Sequence, residues 1–257
     1  MSMEESQNIK SKNKSKVVSC VIPARNESGH LDQIVKGISA VTEIDYIVIV
    51  EGGSTDRTYE IASKLAEREP KKVFCLKQSK KGKFNAVLEG SNYIKSDFVV
   101  VWDADGTVPI HSAQKLIRNA LKNDSLTIGD RLRGKIEVGA MQKANKVGNW
   151  AFALFWAPIL KSKPTDIFCG TKVGPSVVFR KIPEYFAQND PYGDIALLIS
   201  ARLLSVPIQS LPVDYTARIY GESKMRRWFM GVIFLKLTLY SYKYLLLTRR
   251  NQVNEPT

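Results

Sequence analysis

Four short apolar runs rich in β-branched residues recur along the first hundred residues: VVSCVIP (17–23), DYIVIV (45–50), KVFCL (72–76) and FVVVW (98–102). Each is separated from the next by an amphipathic stretch of helical length. Apolar runs with little polar alternation suit strands buried on both faces, as in parallel sheets covered by helices on each side. The alternation therefore predicts a doubly wound, mostly parallel α/β sheet. Ligands in such sheets sit beyond the carboxyl ends of the strands. Those ends here are Ala24-Arg25-Asn26-Glu27, Glu51-Gly52-Gly53-Ser54-Thr55-Asp56 and Asp103-Ala104-Asp105. Turns explain the glycines and Ser54. They do not explain acidic groups at three strand ends of a basic protein.

Beyond residue 125 the alternation weakens. SLTIGDRLRG (125–134) reads as a strand leading into a basic loop, residues 139–160 as an aromatic-rich helix, and IALLISARLL (195–204) as a helix. GPSVVFRK (174–181) and VPIQSLPVDY (206–215) read as further strands. A length of 257 residues suits one core with an appendage. The chain divides into a polar, Lys-rich tail expected to be disordered (1–16), an α/β domain (17–226) and a C-terminal amphipathic helix (227–250). The tail lacks the apolar core of a signal peptide. Three cysteines without C-x-x-C spacing and only two histidines argue against a zinc site, a disulfide scaffold or a Ser-His triad, and suit a reducing cytoplasm.

The formal net charge is +13, and the two ends carry much of it. Residues 1–16 hold four lysines against two glutamates, and residues 224–250 hold seven basic residues and no acid. Such charge implies anionic partners: nucleic acid, lipid headgroups or phosphorylated substrates. A nucleic-acid-binding protein is one alternative. Against it, the aromatic segment NWAFALFWAPIL is too uniformly apolar for base stacking, which interleaves aromatic with basic residues. That segment reads as core or as a lipid-facing surface.

The sharpest motif is VVVWDADGTVP (99–109), a buried strand running into paired aspartates. Ionised carboxylates beside a core are costly unless something positive neutralises them. One reading is the nucleophile loop of haloacid-dehalogenase-type phosphatases, with Asp103 attacking phosphate and Asp190 and Asp194 as a second metal arm. That loop follows the first strand of such domains, whereas here it follows the fourth. The other reading is a D-x-D loop holding a divalent metal against a diphosphate. Mg²⁺ and Mn²⁺ take oxygen ligands and keep several waters, so one or two carboxylates suffice.

Eight segments in order carry a resemblance: VIPARNE (21–27), VEGGSTDRT (50–58), KGKFNAVLEG (81–90), WDADGTVP (102–109), GDRLRG (129–134), CGTKV (169–173), YGD (192–194) and ARIYGESKM (217–225). Together they resemble a family-2 glycosyltransferase of the GT-A fold, in the branch of dolichyl- and undecaprenyl-phosphate sugar synthases. One departure is Val50-Glu51-Gly52-Gly53, where the family commonly has Asp-Asp. The resemblance implies a GT-A, Rossmann-like sheet and inverting hexosyl transfer from a UDP- or GDP-sugar to a polyprenyl phosphate or a growing cell-surface glycan. It implies Mg²⁺ or Mn²⁺ held by Asp105, with Asp103 on ribose or metal. It places Pro23 and Ala24 against the base, Glu27 at the ribose, Glu51 at the base or the ribose, and Asp56 on the base side, although Asp56 reads equally well as a helix N-cap. Lys83 is expected at the diphosphate, and Asp194 occupies the candidate base position. Arg131, with Arg133 nearby, and Arg218, Ser223 and Lys224 would hold an acceptor phosphate. Lys172 and Asp166 read as structural.

WFMGVIFLKLTLYSYKYLLL (228–247) would be roughly 30 Å long as a helix, the thickness of a bilayer's hydrocarbon. Lys236 near its middle disfavours spanning, by about 2.5–3.5 kcal/mol on insertion scales. A helix lying in the interface, with Lys236 and Lys243 toward headgroups, fits better. A helix packed on the catalytic domain is the alternative. The expected place is peripheral, on the cytoplasmic face of a membrane.

Overall fold

The computed structural model describes residues 16–160, 166–218 and 227–253, with side-chain surroundings in the last helix for 230–248. Seven strands, β1 (Val18–Ala24), β2 (Tyr46–Glu51), β3 (Val73–Lys77), β4 (Phe98–Val101), β5 (Leu126–Asp130), β6 (Lys172–Pro175) and β7 (Ile208–Pro212), form one sheet in the order β3-β2-β1-β4-β6-β5-β7. β1, β2, β3 and β4 pair in parallel, as do β5 and β7; β6 runs antiparallel to both of its neighbours. The predicted mostly parallel sheet is what forms, with β6 as the inversion.

Helices α1 (Leu31–Ser39), α2 (Thr58–Arg68), α3 (Lys83–Tyr93) and α4 (Ser112–Asn123) connect these strands and cover the sheet. In α1 the buried residues Leu31, Ile34, Val35 and Ile38 recur at helical spacing and form its core-facing stripe. The strands bury every residue of Val-rich β4 and nearly all of β1 and β2, which is why those runs lack polar alternation. The chain reverses direction across the sheet between β3 and β4, so a crevice opens beyond the carboxyl ends of β1 and β4.

The second half adds α5 (Lys143–Leu160), α6 (Ser176–Arg180), α7 (Glu184–Asn189), α8 (Asp194–Leu203) and α9 (Arg227–Val253). One expectation is corrected here. GPSVVFRK is not a strand: β6 ends at Pro175 and the following SVVFR is a short helix. Its β-branched residues favour a strand, but Val178 and Phe179 are buried in the core and Ser176 Oγ donates to the Ser96 carbonyl, so tertiary packing overrides local preference.

The C-terminal helix α9 docks one face on the domain. Phe234 stacks on Phe168, Tyr240 on Tyr185, and the Trp156 indole donates to Thr238 Oγ1 at 3.0 Å. Its opposite face leaves Val232, Leu235, Leu239, Leu246 and Leu247 exposed beside Lys236 and Lys243.

Candidate active site

The three acidic strand ends meet at one cleft of about 440 Å³. The loops after β1 and β2 are stitched together first. Asn26 takes a left-handed backbone (φ 53°), its N–H donates to Ser54 Oγ at 2.9 Å, and its side-chain oxygen accepts the Thr55 N–H at 2.8 Å. Glu51 turns back to accept the Ser54 N–H at 2.5 Å. Asp56 accepts the Thr58 and Ser28 N–H groups at 3.0 and 3.2 Å and the Thr58 hydroxyl at 2.5 Å. Partial burial works to raise its pKa, but these hydrogen bonds outweigh it and bring the Asp56 carboxyl to about 2. Glu51 and Asp56 therefore shape the wall from behind, while Pro23, Ala24 and Glu27 line the cleft.

Asp103 and Asp105 project from the end of β4. Lys83, the first residue of α3, places its ammonium 2.5 Å from Asp103 Oδ1. Burial works against both charges. It is outweighed for Asp103 by Lys83, Lys172 and Arg131, which hold the carboxyl below its ordinary value, and for Lys83 by Asp103, Asp194 and Asp105, which hold the ammonium above its own. Gly170 makes room for this carboxylate: a Cβ there would sit 2.2 Å from Asp103 Oδ2. Asp105 accepts the Thr107 N–H and hydroxyl through Oδ1, at 3.1 and 2.7 Å. Its Oδ2 accepts from Arg218, which also reaches Glu27 at 3.5 Å.

On the far wall, Arg131 grips buried Asp166 through two hydrogen bonds of 2.6 and 2.9 Å and lies over the Tyr215 ring. Burial disfavours the Arg131 charge, yet Asp166 raises its pKa well above the usual value. Arg133 points elsewhere, bonded to Asp130 and to Ser210. Asp194 opens α8. Beside it, Asp190 accepts the backbone N–H groups of Tyr192, Gly193, Ile195 and Ala196. Burial, with help from the Asp194 charge, pushes the Asp190 carboxyl up to about 6 against those N–H bonds. Gly193, in a left-handed conformation (φ 78°), presses this loop onto Phe84 so closely that a Cβ would lie 2.0 Å from the ring.

The cleft thus brings together Pro23, Ala24, Glu27, Lys83, Asp103, Asp105, Arg131, Asp194 and Arg218. Ser223 and Lys224 lie outside the described residues. Lys172 was missed as a member of this constellation: its Nζ stands 2.5 Å from Asp194 Oδ1 behind the wall. A lysine inside an otherwise apolar strand was the available signal, since a buried ammonium requires a counter-charge.

Asp103 and Asp105 fit a hard divalent cation. Oδ1 of Asp103 is buried and accepts no hydrogen bond, although Lys83 stands beside it as counter-charge. The nearby donors are carboxylate oxygens, and burial pushes the neighbouring Cys169 thiol up to about 11, which keeps it protonated and unlike a thiolate ligand. Among the described residues no cluster of three His, Cys, Asp or Glu side chains forms a ready cage.

Residues 19–182 match the sequence model of Glycosyl transferase family 2. The chain belongs to this family. It is 37% identical over 221 residues to the dolichol-phosphate mannosyltransferase of Pyrococcus furiosus, covering 81% of this chain and 59% of that protein. It is 34% identical over 212 residues to the undecaprenyl-phosphate 4-deoxy-4-formamido-L-arabinose transferase of Edwardsiella ictaluri, covering 80% and 62%. The chain thus spans about three fifths of the length of these two relatives. The undecaprenyl-phosphate mannosyltransferase of Micrococcus luteus is 26% identical over 228 residues, covering 85% of this chain and 91% of that one. Among solved structures, the glucosyl-3-phosphoglycerate synthase of Mycobacterium tuberculosis, in complex with Mn²⁺, UDP and glucosyl-3-phosphoglycerate, superimposes with a TM-score of 0.64 at 18% identity. That match covers 94% of this chain and 84% of the synthase, and it shows the shared GT-A-like fold. Family membership removes the phosphatase and nucleic-acid readings. The structure agrees: Asp190, the supposed metal arm, is committed to the backbone at the start of α8.

Proposed function

We propose that the protein transfers a sugar from a UDP- or GDP-sugar to a polyprenyl phosphate, with inversion, at the cytoplasmic face of a membrane. In this reading residues 17–226 are the transferase domain, and 227–250 are a helix lying against the bilayer. The observation that carries it is a cleft whose carboxylate pair and cations open beside two helices with exposed apolar faces. On α5 these are Val147, Trp150, Leu154 and Phe155, and on α9 Val232, Leu235, Leu239 and Leu246. The two helices are tied together by the Tyr242 hydroxyl, which donates to the Phe155 carbonyl.

Pro23 and Ala24 offer a flat wall to the base and Glu27 an acceptor for ribose hydroxyls. Glu51 and Asp56 hold the loops that form this end of the cleft. Lys83 faces the diphosphate. Asp105 and Asp103 would hold Mg²⁺ or Mn²⁺, which when bound supplies positive charge to the departing diphosphate. Arg218, which donates to Asp105, would be available to an anionic acceptor if that carboxylate held the metal. Arg131 keeps the rest of its fork for the same phosphate while Asp166 fixes its plane. A phosphate oxygen is already ionised, so it displaces the nucleoside diphosphate at the anomeric carbon without giving up a proton. A growing glycan, with a hydroxyl nucleophile, is the second acceptor class. It would need Asp194 as a base.

Met230–Thr248 is long and apolar enough to cross a membrane by length and composition. Its docked face, with buried Phe234, Thr238 and Ser241, and its exposed Lys236 favour lying along the surface instead. The test is transfer from radiolabelled UDP- and GDP-sugars to undecaprenyl phosphate in Mn²⁺, compared with soluble glycan acceptors. Sugar recovered in an acid-labile lipid phosphate is expected. Transfer only to glycan hydroxyls would overturn the acceptor, and no transfer from any donor would overturn the reading itself.

A further inference from the structure

Among the described residues Lys172 is the one lysine whose side chain ranks among the largest fully buried ones, at 1% exposure. It sits in β6, between Val101 of β4 and Ile128 of β5, and does not line the cleft. Its ammonium donates to the Cys169 carbonyl and, at 2.5 Å, to Oδ1 of Asp194. Asp194 does line the cleft, and its other oxygen, Oδ2, takes part in no hydrogen bond among the described residues. One oxygen is therefore held from behind and the other is left to the cavity.

Stability alone is a poor reason for this pair. A buried ion pair is often no more stabilising than apolar residues of similar volume. The loop before α8 has its own anchors, in the four N–H bonds to Asp190 and in the packing of Gly193 on Phe84. What the pair does supply is a carboxylate of fixed orientation. A carboxylate held through one oxygen by an ammonium keeps its other oxygen as an oriented hydrogen-bond acceptor. Of the other charges near it, Lys83 of α3 is a second cation, and Asp190 is a like charge held by the backbone N–H groups at the start of α8.

We propose that Lys172 is a positioning residue, which fixes Asp194 so that its free oxygen receives a hydroxyl of the donor sugar and orients it rather than abstracting a proton. The inference rests on the nucleotide-sugar reading of the cleft. It assigns Asp194 to sugar recognition and leaves the nucleotide to the β1, β2 and β4 loops. It also accounts for a site in which the nucleophile arrives as an anion and needs no base.

Calorimetric titration of the full chain in Mn²⁺ tests it, with UDP against UDP-glucose and GDP against GDP-mannose as probes. The ratio of the two affinities isolates the sugar. In Lys172→Met, and in Lys172→Gln, which keeps a donor for the Cys169 carbonyl, the sugar-bearing probe should weaken roughly 10- to 100-fold relative to the bare nucleotide. That is the size of one hydrogen bond to a charged group. Lys172→Arg should recover part of the loss. In Lys172→Met/Asp194→Asn the ratio should equal that of Asp194→Asn alone, because Lys172 acts only through Asp194. An unchanged ratio, equal weakening of both probes, or additive effects in the double variant would overturn the inference while leaving the nucleotide-sugar reading intact. So would unfolding of every Lys172 variant, including the double one that removes both charges, since the pair would then be a structural requirement. Wild-type protein that binds none of the four probes would overturn that reading, and the inference with it.

Discussion

The two walls of the cleft hold their charges in different ways. On the wall proposed to take the donor (the donor wall), Glu27, Lys83, Asp103 and Asp105 stand at the ends of parallel strands and at the first turn of α3. Their ion pairs remain open to the cavity: side-chain exposure is 29% and 23% for Lys83 and Asp103, and 25% and 13% for Arg218 and Asp105. On the opposite wall, Arg131 with Asp166 and Lys172 with Asp194 are nearly closed, Asp166 at 0% and Lys172 at 2% exposure. The first set can exchange partners with little desolvation, which the proposed binding of metal and diphosphate would require. The second set cannot, because separating buried charges leaves one uncompensated. In the proposed reading the donor wall is thus arranged for ligand exchange and the opposite wall for rigidity.

This contrast predicts opposite responses to mutation. Asp105→Asn should reduce transfer by roughly 10²–10³-fold, the effect of removing one preorganised electrostatic contact, and abolish metal-dependent strengthening of nucleotide binding. Its thermal unfolding should change little, since Arg218 is left beside water. Gly170→Ala should act in the same direction by displacing the Asp103 carboxylate. If Asp105→Asn retained normal turnover in the presence of chelator, the carboxylate pair would not hold a catalytic metal.

Arg131→Ala should show the reverse. It strands Asp166, which is fully buried and whose remaining partners are Asn149 and backbone N–H groups. Breaking a buried pair costs about 3–5 kcal/mol. For a domain of this size each kcal/mol lowers the melting temperature by roughly 2–4 °C, so differential scanning fluorimetry should register a fall of about 10 °C. A melting temperature within a degree of wild type would dissolve the distinction between the walls.

The same contrast explains what could be read before the structure. Donor-wall residues lie just beyond apolar runs whose pattern alone marks a buried parallel sheet, so their convergence follows from strand order. The opposite wall depends on pairings across sequence, Arg131 with Asp166 and Lys172 with Asp194, around a strand that runs against its neighbours. Neither the reversal of β6 nor the helix that follows Pro175 has a local signature. Lys172 and Asp166 therefore looked like unrelated structural charges, although their buried surroundings make each the partner of a cleft residue. Glu51 and Asp56 illustrate the converse. Their place at a strand end suggests ligand contact, whereas one oxygen of Glu51 accepts the Ser54 N–H and both oxygens of Asp56 accept backbone N–H groups of Thr58 and Ser28.

A smaller effect is expected at α9, whose exposed face carries Lys236 and Lys243 among leucines. Each lysine near an anionic surface contributes about 1 kcal/mol to attachment. Replacing both by Glu should weaken binding to phosphatidylserine-containing vesicles at least about 30-fold, with little effect on the melting temperature. Flotation at low salt measures this. Wild-type protein that stays entirely in the soluble fraction would assign the exposed leucines to something other than a bilayer.

The smallest effect is at Asp56, which belongs to the donor wall yet behaves like a rigid element because its carboxylate closes the start of α2. Asp56→Ala removes the oxygens that receive the Thr58 and Ser28 N–H groups, and loss of such a cap costs about 1 kcal/mol. The pH dependence separates capping from contact with a nucleobase. Its folded pKa, about 2, lies below the ordinary carboxylate value of 3.8, so the native state binds its proton less readily than the unfolded chain. The stabilisation is therefore complete above pH 4 and is lost as pH falls toward 2. Denaturant titrations of wild type and Asp56→Ala should differ by about 1 kcal/mol at pH 7 and converge progressively below pH 4. Nucleotide affinity at pH 7 should fall only as far as the loop loosens, by a few fold and equally for UDP and GDP. A variant that keeps wild-type stability but binds one nucleotide far more weakly than the other would make Asp56 a reader of the base.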